Sequence, residues 1–251
     1  MVHTVHSAAI VGLDALPVRV EVALRRGTPM IGIVGLAPAA ARECRERFRA
    51  AAAQLGLRVP GLRITVNLAP AHVRKDGSAF DLPVAVAVLA ASGRIPTGRA
   101  ANWALAGELG LDGTVRPIRG VLPMALRIRA LRPIEGLIVP VDNLPEARSV
   151  RGLRILGARD LGEVISFFRG EADLPSGVRR GRRPLPTSAV DFSEIVGHAP
   201  AKRALEIAAA GGHNVLLTGA PGAGKTMLAR ALPGILPRLS TSEAIEVTAL
   251  H

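Results

Sequence analysis

The residues with the clearest chemical potential form one loop, residues 219–226, which reads GAPGAGKT and fits the pattern G-x-x-x-x-G-K-[ST] without a mismatch. Glycines in such a loop let successive N–H groups point inward at phosphate oxygens, and the N-terminus of the following helix adds partial positive charge. The sequence therefore predicts a phosphate-binding site formed by Gly219, Ala220, Pro221, Gly222, Ala223, Gly224, Lys225, Thr226 and Met227.

Two side chains of this loop have predicted roles in holding a nucleotide. Lys225 is expected to reach the β- and γ-phosphates, and the Thr226 hydroxyl is expected to ligate Mg²⁺. An apolar strand over residues 215–218 and a helix over residues 226–232 are expected to hold the loop between them. The cofactors that this arrangement implies are ATP and Mg²⁺.

Phosphoryl transfer needs, in addition, an acidic residue that holds Mg²⁺ and orients water, usually on a second strand. The acids after Thr226 are Glu243 and Glu246, and both lie in a Ser/Thr-led, helix-like stretch. We therefore expect a truncated second domain with no catalytic residue in this chain, which binds nucleotide but hydrolyses it poorly.

The elements that position the loop belong to the second of two predicted domains. Residues 174–190 (LPSGVRRGRRPLPTSAV) contain three prolines and no helical or strand period, which predicts an extended, semi-rigid linker. Residues 1–173 then form the first domain and residues 191–251 the second. The fold class is α/β, with an α+β first domain followed by the beginning of a phosphate-loop α/β module.

Hydrophobic patterns in the first domain predict alternating strands and helices. Strands are predicted over residues 18–24, 30–36, 62–68, 136–139 and 153–156, and helices over residues 37–55, 80–91, 122–131, 143–148 and 161–168. The pair Asp112–Gly113 predicts a β-hairpin whose strands lie over residues 107–111 and 114–118.

Composition excludes several classes of protein. Among the 251 residues, 49% are apolar, which is too many for a disordered chain, and the single cysteine, Cys44, excludes a disulfide framework. The chain has no apolar run long enough to cross a membrane and no basic segment that starts a signal peptide. We expect a cytoplasmic protein with no membrane partner.

The net charge of +12 favours a polyanionic partner such as DNA. Residues 1–173 carry 23 basic and 15 acidic side chains, the linker carries four arginines and no acid, and residues 191–251 carry five of each sign. The arginines of the linker are candidate DNA contacts: Arg179, Arg180, Arg182 and Arg183. The alternative is compositional, because only three of the 32 basic residues are lysines and tyrosine is absent, as GC-rich codons would produce.

Residues 192–237, which read FSEIVGHAPAKRALEIAAAGGHNVLLTGAPGAGKTMLARALPGILP, resemble the start of the AAA+ module of magnesium-chelatase-like ATPases. Three segments of the first domain resemble the Lon-protease-like domain that precedes this module in the competence-associated ComM/YifB branch: RKDGSAFDLPVAVAVLAA, GELGLDGTVRPIRGVLPMAL and GLIVPVDN. The resemblance thus covers the whole chain and implies the first half of a longer protein.

This resemblance implies a ring-shaped homo-hexamer that uses ATP to remodel DNA, including branch migration during natural transformation. It also implies that Ile195 and Val196 lie near the adenine, although both could be ordinary core residues. His198 stands where the family usually has glutamine, so the role of this position is open. Walker B, the sensors and the arginine finger would lie after His251.

The Lon-like resemblance raises the possibility of peptidase activity, which the residues disfavour. The serine nucleophile of the family falls at Ala79, with Ser78 one place early, and the lysine base falls at Met124. Lys75 is expected to be a solvated residue of the K-D-G turn, and His72 a loop residue. We expect a non-proteolytic domain.

Three functions remain open from the sequence. The first is a DNA-remodelling ATPase motor, and the second is a chelatase-type ATPase that remodels a protein complex without DNA. The third is a non-enzymatic adaptor that acts through the Lon-like domain. The phosphate loop favours the first two, and the Lon-like domain favours the first.

Overall fold

The computed structural model describes residues 2–240 except Asp76, Arg132, Arg148 and residues 177–189, and it also describes Glu243 and Val247. The described residues form two compact units, residues 2–176 and residues 190–240, which we treat separately.

The first unit is an α/β structure with a seven-stranded mixed sheet and a two-stranded hairpin. Its strands are β1 (Val2–Val11), β2 (Asp14–Arg25), β3 (Met30–Val34), β4 (Arg63–Ala69), β5 (Trp103–Leu105), β6 (Glu108–Leu109), β7 (Val115–Arg116), β8 (Gly136–Pro140) and β9 (Arg154–Ala158). Its helices are α1 (Pro38–Gln54), α2 (Asp81–Ala91), α3 (Thr97–Ala101), α4 (Val121–Arg129), α5 (Leu144–Ala147) and α6 (Leu161–Arg169).

The large sheet has the order β3-β4-β2-β1-β5-β8-β9, and β1 joins its two halves. On one side β1 pairs antiparallel with β2 over ten residue pairs, from Val2 opposite Ala23 to Val11 opposite Asp14. On the other side it pairs parallel with β5, where His6 lies opposite Ala104. The parallel strands β5, β8 and β9 complete that half of the sheet.

Alternating side chains of the strands form two separate hydrophobic cores, one on each face of the sheet. On the first face, residues such as Val5, Val20 and Leu68 pack with Phe48 of α1 and with α2 and α6. On the second face, a smaller core surrounds α4 and contains Ala8, Ala104, Leu122, Ile128 and Leu137. The period of two in the strands therefore determines which helix each side chain meets.

An ion pair links α1 to α2 inside the first core. Asp81 is 1% exposed, and its carboxylate accepts from the Arg47 guanidinium at 2.6 and 3.2 Å and from the Leu109 N–H at 3.2 Å. Burial raises the pKa of the Asp81 carboxyl, and the Arg47 cation offsets part of that rise. Burial, and to a smaller extent the Asp81 carboxylate, raise the pKa of the neighbouring Cys44 thiol.

The second unit contains α7 (Ala199–Gly211) and α8 (Lys225–Ala231). Ile195, Leu205, Leu228 and Ala231 form its small core, and Val190 and Phe192 pack against that core. Among the helices that the structure describes in either unit, none is long and apolar enough to cross a lipid bilayer.

Most elements of the first unit lie where the sequence predicts them. The strands predicted over residues 18–24 and 62–68 are β2 and β4, the helices predicted over residues 37–55 and 80–91 are α1 and α2, and the predicted hairpin is β6–β7. Three elements of the first unit, β1, α3 and β5, were not predicted from the sequence, and neither was α7 of the second unit.

The predicted linker boundaries differ from the structure by three residues at the start and by one at the end, where Val190 packs against the core of the second unit. Leu174 is buried in the first core, the Pro175 carbonyl accepts from the Gly157 N–H, and Ser176 bridges to Leu156. The exposed edge of β9 and the apolar Leu174 side chain explain why the chain continues to pack beyond residue 173. The division into two domains and a linker otherwise stays a prediction, since residues 177–189 lie outside the described part of the chain.

The ion pair leads to a prediction for Arg47→Met. The change leaves a buried carboxylate without a counter-charge, which should lower the free energy of unfolding of the first unit by about 3 kcal/mol at pH 7. A carboxyl whose pKa is raised on folding destabilises the fold above that pKa and no longer does so once it is protonated. The loss in the free energy of unfolding caused by Arg47→Met should therefore shrink as the pH falls towards the ordinary carboxyl pKa of about 4.

Urea unfolding followed by the fluorescence of Trp103 measures this effect, because Trp103 is the single tryptophan and is 1% exposed in the first unit. The double variant Arg47→Met/Asp81→Asn is the control, since it removes both charges and keeps an acceptor for the Leu109 N–H. A deficit that is equal at pH 7 and pH 5, or equal in the single and double variants, would contradict the assignment.

Candidate functional site

The loop 219–226 adopts a backbone that favours glycine at three positions. Gly219, Gly222 and Gly224 have φ angles of 152°, 82° and 72°. A Cβ on Gly222 would meet nothing within 4 Å, so the space beside this residue is open. The glycine spacing noted in the sequence thus corresponds to the curvature of the loop.

Lys225 lies over this loop and is held by it. Its ammonium donates to the carbonyls of Gly219 and Ala220 at 2.8 and 2.7 Å, which fixes the cation at the mouth of the curve. Lys225 is also the first residue of α8, whose first intrahelical bond runs from the Leu228 N–H to the Gly224 carbonyl. The N–H groups that precede Leu228 in α8 are therefore free for an acceptor from outside the helix.

The residues of the loop fit a nucleoside triphosphate with Mg²⁺. Such a group needs hydrogen-bond donors for its phosphates, which are the Lys225 ammonium and the free N–H groups at the start of α8. It also needs a ligand for Mg²⁺, which is the exposed Thr226. Thr226 is the second residue of α8, next to Lys225, and Met227 is partly exposed behind it. The remaining loop residues, Ala220, Pro221 and Ala223, are exposed.

The strand predicted over residues 215–218 is not a strand in the structure, and this prediction is wrong in that respect. A strand is defined by its ladder of hydrogen bonds, and within residues 190–240 no second strand is available to pair with it. The segment leads into the loop with apolar side chains exposed: Leu216 is 86% exposed and Val215 40%. The helix predicted over residues 226–232 is α8.

Ile195 and Val196, the two predicted adenine neighbours, have opposite environments. Ile195 is 1% exposed and packs with Leu205 and Leu228, whereas Val196 is 90% exposed. The Ile195 carbonyl accepts from the Lys202 ammonium, which holds this segment against α7. Of the two side chains, Val196 is the one that a ligand can reach directly, and their contact with adenine stays a prediction.

His198 lies beside the phosphate loop. It precedes α7 in the left-handed conformation (φ 56°), and its Nε2 lies 3.2 Å from the position of a Cβ on Gly224. The sequence singles out His198 only as a departure from a family pattern. The structure adds that its ring closes one side of the loop where the loop enters α8.

Glu243, one of the two acids that follow Thr226, forms hydrogen bonds with Ser240. Its carboxylate accepts from the Ser240 N–H at 2.7 Å, and the Glu243 N–H donates to the Ser240 hydroxyl at 3.2 Å, which is the reciprocal pattern of a helix capping box. Hydrogen bonds from the Ser240 side chain and the Ser240 N–H to the carboxylate lower the pKa of Glu243. The four candidate DNA contacts, Arg179, Arg180, Arg182 and Arg183, lie outside the described residues, as does Glu246.

The first unit has apolar side chains at both positions where the Lon-like resemblance expects catalytic groups. Met124 is 3% exposed in the core around α4, and Ala79 packs against that same core. The Ser78 hydroxyl instead donates to the Glu108 carboxylate, and Glu108 pairs with Arg116 at 3.8 Å. Both Lon-like positions therefore adjoin the same apolar core and carry no polar group.

Lys75 is buried, and the prediction that it is a solvated turn residue is wrong. It is 3% exposed, and its ammonium donates to the carbonyls of Pro70 and Val73 at 2.6 and 2.8 Å. Burial lowers the pKa of this ammonium. The two carbonyls compensate the loss of water around the Lys75 ammonium, and such a contact cannot be read from a sequence pattern. His72 lies in the same turn, as predicted.

Comparison with known proteins assigns a family to this arrangement of an α/β unit followed by a glycine-rich loop and helix. The family profile described as "Subunit ChlI of Mg-chelatase" matches residues 20–143, and that described as "Magnesium chelatase, subunit ChlI" matches residues 191–251. The chain belongs to this magnesium-chelatase ChlI family.

Relatives of known sequence cover nearly the whole chain. It is 46% identical over 245 residues to an uncharacterised protein of Mycobacterium tuberculosis, 40% over 252 residues to YifB of Escherichia coli, and 38% over 250 residues to the competence protein ComM of Haemophilus influenzae. Each match covers 98% of this chain but only 48% or 49% of the relative. The chain thus spans about half the length of the curated relatives it matches, and the resemblance to the ComM/YifB branch is confirmed.

The contact between His198 and the loop leads to a prediction for Gly224→Ala. A left-handed φ costs a residue with a Cβ about 1–2 kcal/mol, and at Gly224 the added methyl group would also meet the His198 ring. Gly222→Ala carries the backbone cost alone, because the space around it is open. We expect α8 to exchange its amide hydrogens faster in Gly224→Ala than in Gly222→Ala, as measured by hydrogen–deuterium exchange.

Removing the ring isolates the steric part of this effect. In a His198→Ala background, the two alanine variants should exchange at similar rates. Equal exchange of the two variants with His198 present would show that the ring does not close the loop.

Proposed function

We propose that the second unit binds the triphosphate of ATP through loop 219–226, with Mg²⁺ on Thr226. The observation that carries the proposal is the Lys225 ammonium, which two loop carbonyls hold at the mouth of a curve that three glycines form. An acceptor-rich anion is the ligand that this combination of a fixed cation and free N–H groups favours. When bound, Mg²⁺ would neutralise phosphate charge, while the residues of the chain orient the phosphates.

Lys225→Ala tests this site. The variant loses the one ammonium in the loop and should weaken binding of a fluorescent ATP analogue at least about 100-fold, as expected for removal of a charge-assisted contact to a phosphate. Arg230→Ala is the matched control, because it removes one positive charge from the exposed side of the same helix. Unchanged affinity in Lys225→Ala, or an equal loss in Arg230→Ala, would refute the assignment, and Trp103 fluorescence checks that the first unit stays folded.

We further propose that the chain contributes to an ATP-driven motor that acts on DNA in the cytoplasm as a homo-hexamer. Two observations support this. The chain is similar over 98% of its length to a protein named for competence, and the whole net positive charge of +12 comes from the first domain and the linker. A chelatase-type motor that remodels a protein complex is the second candidate, and the family descriptions favour it.

The salt dependence of DNA binding distinguishes these two candidates. For a DNA motor, the logarithm of the affinity for duplex or branched DNA should fall linearly with the logarithm of salt concentration. Replacing Arg179, Arg180, Arg182 and Arg183 by serine should reduce that slope by up to about 3.6, since each phosphate contact contributes about 0.9. Replacement of the same four arginines by lysine is the control, and it should keep the slope. Absence of DNA binding at low salt would favour the chelatase-type function.

The first domain is proposed to be a non-proteolytic scaffold. Its Lon-like positions carry Ala79 and Met124, which pack in one apolar cluster, so no base is available there to activate a hydroxyl. The buried Lys75 donates to backbone carbonyls, which commits its ammonium to the turn. Both observations favour a role in assembly or in contact with a partner over peptide cleavage.

A further inference from the structure

The first unit contains a cavity of about 460 Å³ to which the proposed function gives no role. Strands β1 and β2, the turn after β4 and the segment after α4 form its walls. Most of the lining is apolar, with Leu16, Leu131 and Ile134 among the lining residues, and three polar side chains converge on it: His6, Arg19 and His72. The volume and the lining are typical of a site for a small molecule.

The cavity arises where the cover of the second face of the sheet ends. Helix α4 ends at Arg129, and its core covers the half of the sheet around β5 and β8. That core also includes Ala8 of β1 and Ala15 of β2. Further along β2 the same face carries Arg19 and Glu21, and the Glu21 carboxylate accepts from the Asn67 amide of β4 at 3.0 Å. The cavity is therefore lined both by the apolar Leu131 and Ile134, which follow α4, and by the polar Arg19 of β2, and a molecule with one apolar and one polar end matches both.

The polar groups of the cavity favour an anion. His6 and Arg19 lie opposite each other on β1 and β2. Among the described residues, Arg19 has one ion pair, from its Nε to Glu21 at 3.6 Å, which leaves the other donors of its guanidinium available. Burial, and to a smaller extent Arg19, lower the pKa of His6, so that its imidazole is neutral at pH 7 and offers one donor and one acceptor.

The turn after β4 is held in place by a buried cation. The Lys75 ammonium, 3% exposed, donates to the carbonyls of Pro70 and Val73, and both residues line the cavity. Two such bonds fix the turn that forms this wall. The cavity therefore has a formed wall before any ligand binds, which reduces the entropy that binding must remove.

We propose that this cavity binds a small organic carboxylate, with its apolar body against Leu131 and Ile134 and its carboxylate on the Arg19 guanidinium. A single planar guanidinium matches a carboxylate in a bidentate manner, and one such cation suits a monoanion. The site belongs to the first unit and does not depend on the phosphate loop.

The probes that test this proposal are 1-naphthoate and 1-naphthamide, which share one shape and differ in charge. In calorimetric titration of the full chain, naphthoate should bind with a stoichiometry of one and at least about ten-fold more tightly than naphthamide. Arg19→Met should weaken naphthoate about ten-fold and leave naphthamide unchanged. Arg25→Met is the matched control, because it removes the same charge from the exposed end of β2 and should change neither affinity.

A second variant tests the volume of the cavity. Leu131→Trp places a larger side chain in the lining and should abolish binding of both probes, with far-UV circular dichroism checking the fold. Lys225→Ala should leave naphthoate binding intact, which separates this site from the phosphate loop. Equal affinity for the two probes, equal effects of Arg19→Met and Arg25→Met, or no saturable binding of naphthoate up to about 1 mM would overturn the proposal.

Discussion

The pairing of β1 on both of its sides is the interaction on which the first unit depends. Its antiparallel ladder with β2 and its parallel contact with β5 join two half-sheets that otherwise share no strand. Because side chains alternate along β1, Val5 and Ala9 enter the core under α2 while Ala8 enters the core under α4. A one-residue slip of β1 would exchange these sides and bring His6 and Thr4 into the core of the first face.

The same alternation explains why β1 was not predicted from the sequence. Central strands that are buried on both faces read as continuous apolar runs, but β1 carries histidine, threonine and serine among its valines and alanines. Of these polar side chains, His6 is partly exposed and lines the cavity, whereas Ser7 is 1% exposed. By contrast, residues 18–22 of β2 and the whole of β4 alternate between buried and more exposed side chains, and these strands were predicted from their patterns.

The candidate site was predictable to the extent that it depends on local backbone geometry. The positive φ angles at Gly222 and Gly224 and the position of Lys225 follow from glycine and lysine at fixed spacings. The unpaired state of residues 215–218 did not follow, because a strand requires a partner that the local sequence does not specify. The proximity of His198 to Gly224 likewise depends on the packing of α7 beside α8 through Leu205 and Leu228.

The cost of burying a charge explains which ionisable side chains of the first unit are buried and which stay accessible. A buried ionised group must be compensated, and both Asp81 and Lys75 meet this condition, the first through Arg47 and the Leu109 N–H, the second through two carbonyls. These contacts fix the start of α2 and the turn after β4, so the two charges shape the backbone on either side of Ser78. Ala79 and Met124 need no such compensation, since Met124 lies in the apolar core around α4 and Ala79 packs against that core. The charges that remain accessible, Arg19 beside His6 among them, lie at the margin of the cores, where a ligand can reach them.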